Sequence, residues 1–350
     1  MPPLSERLRE RISREGPISF RDFMEAALYD PEDGYYARGP SIGEGGDFVT
    51  APTVTPAFAA VIAREFLRDT AALDGPVDFV EAGADSGAFL ADFDTALRRL
   101  DPAAASRVRM TAIERSVSAR RRILARRFGS APRMIASAEE LPEGSIRGWI
   151  FSNELFDALP AVRVAGTPDG MRELRIGVQG GGFVWVEAPA DAALAAHLES
   201  FGIRLAPGQC AEISRDAAPL YRRLARALAR GALVTFDYGH RANVLYHALA
   251  RPRGTLAVYA AGRRGGDPLE RVGEVDLTAH VNWDDLASAG EAEGLTTRGI
   301  FRQGRWLAEA GILDFASSDA EKWRIYRLID PEGMGEELSV LVQSRETRSD

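Results

Sequence analysis

Short apolar runs alternate with amphipathic segments between Val77 and Asp237, and this pattern predicts an α/β core. Strands are predicted at "VDFVEAG", "RVRMTAIE", "APRMIAS" and "RGWIFSNEL". Helical spacing of apolar positions is found in the intervening "GAFLADFDTALRRL" and "SARRRILARRF". Such alternation is typical of βαβ units, so we expect a parallel sheet with helices on both faces.

A different pattern interrupts this core between Ala161 and Ile213. Two antiparallel strands joined at a glycine-rich turn are predicted in "MRELRIGVQGGGFVWVEAP", followed by a helix near "ADAALAAHLESF". The α/β pattern resumes with the helix "AAPLYRRLARALARG" and the strand "ALVTFDYG". Two late segments, "TTRGIFRQ" and "ELSVLVQS", are predicted to close the sheet as antiparallel edge strands.

The N-terminal region is predicted to be helical and to end in a long loop. In "FRDFMEAALY" the apolar residues share one helix face, which favours packing on the core over binding a partner. The loop "DPEDGYYARGPSIGEGGDFVTAP" is glycine-rich and aromatic, so we expect a lid or binding element, with disorder as the alternative. We therefore predict N-terminal helices and a loop over 1–75, a core over 76–160 and 214–345, and a β-rich insertion over 161–213.

Composition narrows the classes of partner and location. The 350 residues are 45% apolar and 27% charged, with a net charge of -8, so a nucleic-acid or membrane partner is not expected. A single cysteine and four scattered histidines predict no metal site. No segment has the apolar length of a membrane span or of a signal peptide core, which predicts a cytoplasmic protein.

Candidate chemistry lies at the ends of the first two core strands. Glu81, Gly83, Gly87 and Glu114 fall where a doubly wound sheet binds its ligand. The spacing is not that of a G-x-G-x-x-G dinucleotide turn, and a carboxylate at Asp85 would repel a pyrophosphate by about 4 kcal/mol at a distance of about 4 Å. S-adenosylmethionine (SAM) fits better because it has no phosphate and its methionine end is cationic.

The three acids are candidates for binding SAM, and two of them, Glu114 and Asp85, also have a simpler structural alternative. Glu81 is predicted to serve the methionine end of SAM, and Glu114 the ribose hydroxyls. Glu114 has the alternative of capping the next helix or pairing with Arg115. Asp85 is a cofactor-binding candidate at the edge of the SAM site, where it could hold the ammonium. We favour its structural alternative, in which Asp85, or Ser86 beside it, caps the following helix and Asp85 adopts the left-handed conformation of a glycine.

Seven stretches spread along the chain are distinctive in combination: "ISFRDFMEAALYDPEDGYY", "GDFVTAP", "EAGADSG", "SNELFDALP", "FDYGH", "GTLAVYAAG" and "GEVDLTAHVNW". Through these stretches the chain resembles the MidA-type SAM-dependent methyltransferases from about Ile18 to Leu341. This resemblance implies a class I SAM-methyltransferase fold, Rossmann-like, with a seven-stranded, mostly parallel sheet.

The resemblance also implies site residues. A loop over the cofactor and acceptor would contain Gly46, Asp47, Phe48 and Thr50. The acceptor side would be lined by Asn153, Glu154 and Asp157, and we expect Asp47, Thr50 and Asn153 to contact the cofactor as well.

This chain departs from the family pattern in three places. Relatives usually have G-D-F-x-T-S-P-E, so Ala51 and Thr53 replace a hydroxyl residue and an acid. Asp85 replaces the middle glycine of the SAM turn, and "NW" at 282–283 stands where D-F is common.

Methyl transfer to a guanidinium requires groups that hold and polarise it, because its pKa lies above about 12. We predict that Glu154 orients the acceptor and that Asn153 presents its amide oxygen. Asp157, Asp237, His240 and His280 are further acid-base or acceptor candidates with structural alternatives.

The leading hypothesis is a methyltransferase acting on a protein nitrogen, with arginine favoured. Alternatives are a methyltransferase for a small molecule or peptide natural product and a non-catalytic SAM-binding assembly factor. A protein or peptide is the expected partner, with a homodimer as an option.

Overall fold

The computed structural model describes residues 2–39, 50–260 and 263–346 of the chain. Strands in these ranges are β1 (Ile18–Ser19), β2 (Val77–Ala82), β3 (Val108–Ile113), β4 (Arg133–Ile135), β5 (Ile146–Asn153), β6 (Ala161–Thr167), β7 (Gly170–Gln179), β8 (Gly182–Pro189), β9 (Cys210–Ser214), β10 (Leu228–His240), β11 (Ala257–Ala260), β12 (Arg263–Arg264), β13 (Asp276–Thr278), β14 (Val281–Asn282), β15 (Thr296–Arg302) and β16 (Leu338–Arg345).

Helices in the same ranges are α1 (Leu4–Glu15), α2 (Phe20–Tyr29), α3 (Tyr35–Arg38), α4 (Ala51–Val54), α5 (Pro56–Thr70), α6 (Ala88–Leu100), α7 (Pro102–Ala105), α8 (Val117–Leu124), α9 (Ala192–Ser200), α10 (Ala217–Ala227), α11 (Ala242–Leu245), α12 (Trp283–Ala292), α13 (Gln303–Glu309), α14 (Asp319–Ile329) and α15 (Met334–Glu337). Two 3₁₀ turns lie at Ala138–Glu140 and Ile312–Phe315. No helix of the described ranges is long and apolar enough to cross a membrane.

The chain divides into two compact units. The first comprises Met1–Pro40, Phe156–Ala218 and Gly239–Asp285, and the second comprises Ser41–Leu155, Pro219–Tyr238 and Leu286–Asp350. These bounds are not those of the predicted domains, because the first unit joins the predicted insertion to residues from the N-terminal region and from the later chain.

The second unit contains the α/β sheet. Its strands lie in one row in the order β15-β16-β10-β5-β2-β3-β4. From β4 to β10 all neighbours are parallel, as predicted, whereas β16 runs antiparallel to both β10 and β15. Of the two late segments, only β15 lies at the edge, and it runs in the direction of the parallel strands. The short β14 pairs with the last two residues of β10.

Both faces of the central strands are buried. Phe79 and Val80, adjacent in β2 and therefore on opposite faces of the sheet, are both 0% exposed. On one face Phe79 stacks on Phe93 of α6 with ring centroids 3.8 Å apart and meets Phe66 of α5 edge-on at 5.4 Å. These aromatic contacts fix α5 and α6 against the sheet.

The first unit contains an antiparallel sheet in the order β1-β7-β6-β9, with β8 pairing to β7. The predicted hairpin is confirmed as β7 and β8, joined where Gly180 and Gly181 have φ values of 58° and 81°. Helix α2 has the predicted bounds and a fully buried apolar face. Its Phe20 packs on Trp185 of β8, with ring centroids 5.1 Å apart, so this face serves the core.

The row of strands reverses its order between β2 and β5. After β2 the chain proceeds outwards to β3 and β4, then returns to β5 on the other side of β2. The carboxyl ends of β2 and β5 adjoin, with Ala82 registered opposite Ser152. A crevice at such a reversal is the usual ligand site of a doubly wound sheet.

Candidate functional site

The turn between β2 and α6 requires glycine at two positions. Gly83 and Gly87 have φ values of 77° and 70°, in the left-handed region. A Cβ at Gly83 would lie 3.0 Å from Leu155 Cδ1, and one at Gly87 would lie 3.0 Å from Ile123 Cγ1. The turn is therefore closely packed against the end of β5 on one side and α8 on the other.

Glu81, near the end of β2, is a buried acid with an unsatisfied oxygen. It is 5% exposed, and its Oε2 has no hydrogen-bond partner in the described structure. Burial raises the pKa of this carboxyl well above its ordinary value, and the carboxylates of Asp85 and Glu114 raise it further. A cationic group at this position would relieve both effects, and the ammonium of SAM is such a group.

Asp85 does not cap the following helix, so that part of the prediction is wrong. The residue at the N-cap of α6 is Gly87, and no side chain caps the helix there. Asp85 has the predicted left-handed conformation, with a φ of 41°. Its carboxylate Oδ1 instead accepts a hydrogen bond from Arg122 Nη2 at 2.9 Å, and its own N–H donates to Glu114 Oε2 at 2.9 Å.

Glu114 follows β3 and is held by main-chain donors on both oxygens. Besides the bond from Asp85, its Oε1 accepts the N–H of Ser116 at 2.7 Å. Burial raises the pKa of Glu114, although the two main-chain N–H groups act in the opposite direction. Glu114 is thus fixed beside the glycine turn. The Ser116 bond supports the alternative role at the start of α8 as well, and ribose binding stays a prediction.

Asn153 and Glu154 form a polar pair at the end of β5. Glu154 has a φ of 50°, a conformation that non-glycine residues seldom adopt. Its Oε1 accepts Asn153 Nδ2 at 3.0 Å and, at 3.4 Å, the N–H of Ala51 in α4. The Oδ1 of Asn153 is buried and makes no hydrogen bond within the described structure. The pair therefore combines an oriented carboxylate with an unsatisfied amide oxygen.

The predicted cofactor loop is only partly within the described residues. Gly46, Asp47 and Phe48 lie outside them. Thr50 precedes α4, and its N–H donates to Thr53 Oγ1 at 3.2 Å, while that hydroxyl donates to the carbonyl of Thr50 at 2.9 Å. Thr53, where relatives usually have an acid, is thus engaged in closing the first turn of α4.

Asp237 is completely buried near the end of β10, in the second unit. Its Oδ2 accepts the N–H of Leu155 at 3.1 Å, and its Oδ1 accepts the N–H of Tyr238 at 2.8 Å. These bonds assign Asp237 a positioning role for the segment after Glu154.

Asp157, His240 and His280 belong to the first unit. Asp157 is buried, and its carbonyl accepts the N–H of Ala279 at 2.9 Å. Burial lowers the pKa of His280 to about 3, with further lowering by His240 and two arginines. His280 is therefore neutral near pH 7. His240 Nε2 lies 2.5 Å from Arg251 Nη2 and so accepts from that guanidinium.

Sequence reasoning overlooked Arg122, which pairs with Asp85 from 37 positions away. The sequence does contain a chemical indication, because an acid in place of a turn glycine, near two other acids, requires a nearby positive charge to offset the repulsion. The arginine-rich "SARRRIL" of α8 offers three candidates, and the helical phase that selects one of them was not resolved from sequence.

An acid inside the glycine turn, with further acids beside the ends of β2 and β3, favours SAM over a phosphate-bearing cofactor and indicates the SAM-binding class of α/β proteins. A family model of S-adenosyl-L-methionine-dependent methyltransferases matches residues 61–301, and the chain belongs to this family. The resemblance to MidA-type methyltransferases is thereby confirmed, and the chain is a SAM-dependent methyltransferase.

Individual relatives cover nearly the whole chain. The mouse mitochondrial protein arginine methyltransferase NDUFAF7 is 25% identical over 379 residues, which cover 95% of this chain and 82% of the mouse protein. The human protein of the same name is 23% identical, with coverage of 96% and 82%. A Burkholderia thailandensis protein solved with bound S-adenosyl-homocysteine is 32% identical, with a TM-score of 0.85 and coverage of 98% and 92%.

Proposed function

We propose that the chain transfers a methyl group from SAM to a nitrogen of a protein substrate, with the guanidinium of arginine favoured. The observation that supports this proposal most directly is the pair at the end of β5, where a left-handed Glu154 lies beside the unsatisfied Oδ1 of Asn153. Two of the similar proteins are named protein arginine methyltransferases.

The turn after β2 is the proposed site of the cofactor. Glu81 would hold the methionine end, the backbone at Gly83 allows close approach, and Glu114 would accept the ribose hydroxyls. Bound SAM supplies an electrophilic methyl group on a sulfonium. The seven strands in one row of the second unit support the class I form of the sheet.

Two acceptors are needed to orient a guanidinium. Glu154 supplies a carboxylate whose Oε1 is fixed by Asn153 Nδ2 and Ala51 N–H, and Asn153 supplies the amide oxygen. A carboxylate paired with the guanidinium fixes its N–H donors in one plane and directs one of its nitrogens towards the methyl group of SAM. As the new C–N bond formed, the bond from the methyl carbon to the SAM sulfur would break and neutral S-adenosylhomocysteine would leave. One N–H proton of the acceptor nitrogen would pass to water, and the Glu154 carboxylate would stabilise the positive charge until it did.

A second candidate is methylation of a small molecule or peptide natural product. The observation in its favour is Thr53 of α4, which bonds to Thr50 just before the helix instead of presenting the acid usual in relatives. Loss of that acid changes what α4 offers an acceptor. The described structure gives no corresponding support to a non-catalytic assembly factor, because Asp85 is paired with Arg122.

The partner and the location remain predictions. We expect a protein or peptide acceptor rather than a nucleic acid or a membrane surface, and a homodimer as an option. A cytoplasmic location is likewise predicted from sequence, whereas the named mouse and human relatives are mitochondrial.

The test is to incubate the protein with SAM labelled in its methyl group and a lysate of its own cells. We expect labelled protein bands whose acid hydrolysate contains methylarginine. Glu154→Gln should abolish this label while binding S-adenosylhomocysteine as the parent protein does, and exposed Glu332→Gln serves as the matched control. Label confined to molecules below the size of proteins would instead establish the second candidate.

A further inference from the structure

Helix α8 and the residues just after it support the glycine turn with three side chains, of which Arg122 and Ile123 lie in the helix and Arg126 follows it. Arg122 Nη2 donates to Asp85 Oδ1 at 2.9 Å, and Arg126 Nε donates to the carbonyl of Ser86 at 2.6 Å. Between them in the chain, Ile123 packs against Gly87 so closely that a Cβ there would lie 3.0 Å from Cγ1. Together α8 and the segment after it contact three consecutive residues of the turn, Asp85 to Gly87.

The same helix is connected to Glu114. Ser116 caps α8, with its hydroxyl accepting the N–H of Ala119 at 3.2 Å, and its own N–H donates to Glu114 Oε1 at 2.7 Å. The other oxygen of Glu114 accepts the N–H of Asp85 at 2.9 Å. The carboxylate is therefore held between the start of α8 and the turn that α8 braces.

Asp85 is the residue of this arrangement whose conformation and charge are both unfavourable. Its φ of 41° is unfavourable for a residue with a Cβ, and Asp tolerates it better than most. Its negative charge lies near two other acids, since it raises the pKa of both Glu81 and Glu114. The ion pair to Arg122 compensates the charge and selects one side-chain position, and in this conformation the Asp85 N–H faces Glu114.

We propose that Arg122 is a positioning residue for cofactor binding. Acting through Asp85, it holds Glu114 in the orientation that receives the ribose hydroxyls of an adenosine-containing cofactor. This proposal rests on the ribose role of Glu114 in the proposed function. A glycine at position 85, as in relatives, adopts the left-handed conformation without strain. In this chain the ion pair with Arg122 holds Asp85 in that conformation instead.

The experiment measures binding of S-adenosylhomocysteine by calorimetry, together with SAM-dependent kinetics, in the full chain. Because both side chains of the pair are about one-third exposed, Arg122→Gln should weaken binding about three- to fivefold. It should raise KM for SAM by a similar factor and leave kcat at saturating SAM unchanged. Arg122→Lys should restore part of the affinity, and Arg121→Gln, at an exposed position of α8, should match the parent protein.

A double substitution tests the route through Asp85. With Asp85→Gly the turn no longer needs the ion pair, so adding Arg122→Gln should change affinity no further. An equal loss in both backgrounds would overturn the proposal, as would unchanged affinity of Arg122→Gln.

Glu114→Gln separates this proposal from the role on which it rests. If Glu114→Gln weakens binding and Arg122→Gln does not, only the positioning role fails. If Glu114→Gln binds normally, the ribose role of Glu114 itself is overturned. Melting curves confirm that each variant is folded when measured.

Discussion

The carboxylate of Asp237 accepts the main-chain N–H of Leu155 at 3.1 Å, which ties the end of β10 to the residue after Glu154. Asp237 also accepts the N–H of Tyr238 at 2.8 Å and is 0% exposed. Both donors are main-chain groups that meet a fully buried carboxylate, so the carboxylate is required for the geometry of this segment.

Asp237→Asn is therefore expected to reduce stability and acceptor turnover together. The amide has one acceptor oxygen in place of two, so the N–H of either Leu155 or Tyr238 would face the NH2 group of the asparagine instead of an acceptor. The expected cost is about 1–3 kcal/mol of the free energy of unfolding. Urea unfolding measures this cost, and exposed Asp74→Asn should show almost none of it. Unchanged stability of Asp237→Asn would show that the two bonds are dispensable.

Glu81 should make the cofactor-free protein less stable as pH rises. Its raised pKa means that the folded state retains a proton that the unfolded state has lost. From the ordinary value of 4.5 upwards to the raised value, the free energy of unfolding therefore falls. Glu81→Gln should remove this dependence in pH-resolved urea titrations.

The same substitution is expected to weaken SAM binding, because the neutral amide cannot neutralise the ammonium. Below its raised pKa the free protein carries Glu81 protonated, and binding of the SAM ammonium should ionise it. We therefore expect a proton to be released when SAM binds in this pH range, measured by calorimetry in buffers of different ionisation enthalpy. Full SAM affinity of Glu81→Gln, with no released proton, would place the ammonium elsewhere.

Gly83→Ala should destabilise the protein by more than backbone strain alone. A left-handed alanine costs about 1–2 kcal/mol, and its Cβ would also lie 3.0 Å from Leu155 Cδ1. Gly180→Ala is the matched control, since Gly180 is also left-handed but has no atom within 4 Å of a built Cβ. Thermal unfolding should give the larger loss for Gly83→Ala. Equal losses would show that Leu155 yields at no cost.

His280 should make the protein sensitive to mild acid. Its pKa is lowered to about 3, so between its ordinary pKa of 6.5 and that value the unfolded state binds a proton that the folded state does not. The contribution of neutral His280 to the free energy of unfolding is fully present above pH 6.5. The free energy of unfolding then falls by roughly 2 kcal/mol between pH 7 and pH 5. His280→Asn should flatten this slope in unfolding titrations, and exposed His247→Asn should not.

Elements with a clear apolar period were predictable from sequence. Helix α2 has its predicted bounds because five apolar residues share a face and Ser19 caps its start, with the hydroxyl accepting the N–H of Asp22 at 3.0 Å. The hairpin β7–β8 follows equally from its glycine turn. Helix α10 ends earlier than predicted, at Ala227, because residues 228–231 pair with β5 and β16. Such tertiary pairing has no local signal.

The candidate site was predictable in its residue types and only partly in its contacts. Glu81, Gly83 and Asn153 fall at strand ends, which a βαβ pattern locates. The partner of Asp85 lies on another helix, and the orientation of Glu154 depends on the N–H of Ala51, so both required the folded chain.

The bond between Arg122 and Asp85 has an evolutionary consequence. A glycine at position 85 imposes no charge requirement on position 122, whereas an aspartate there makes an arginine at 122 costly to lose. Among related sequences, the two positions should therefore change together, and lineages that carry the acid should retain the arginine.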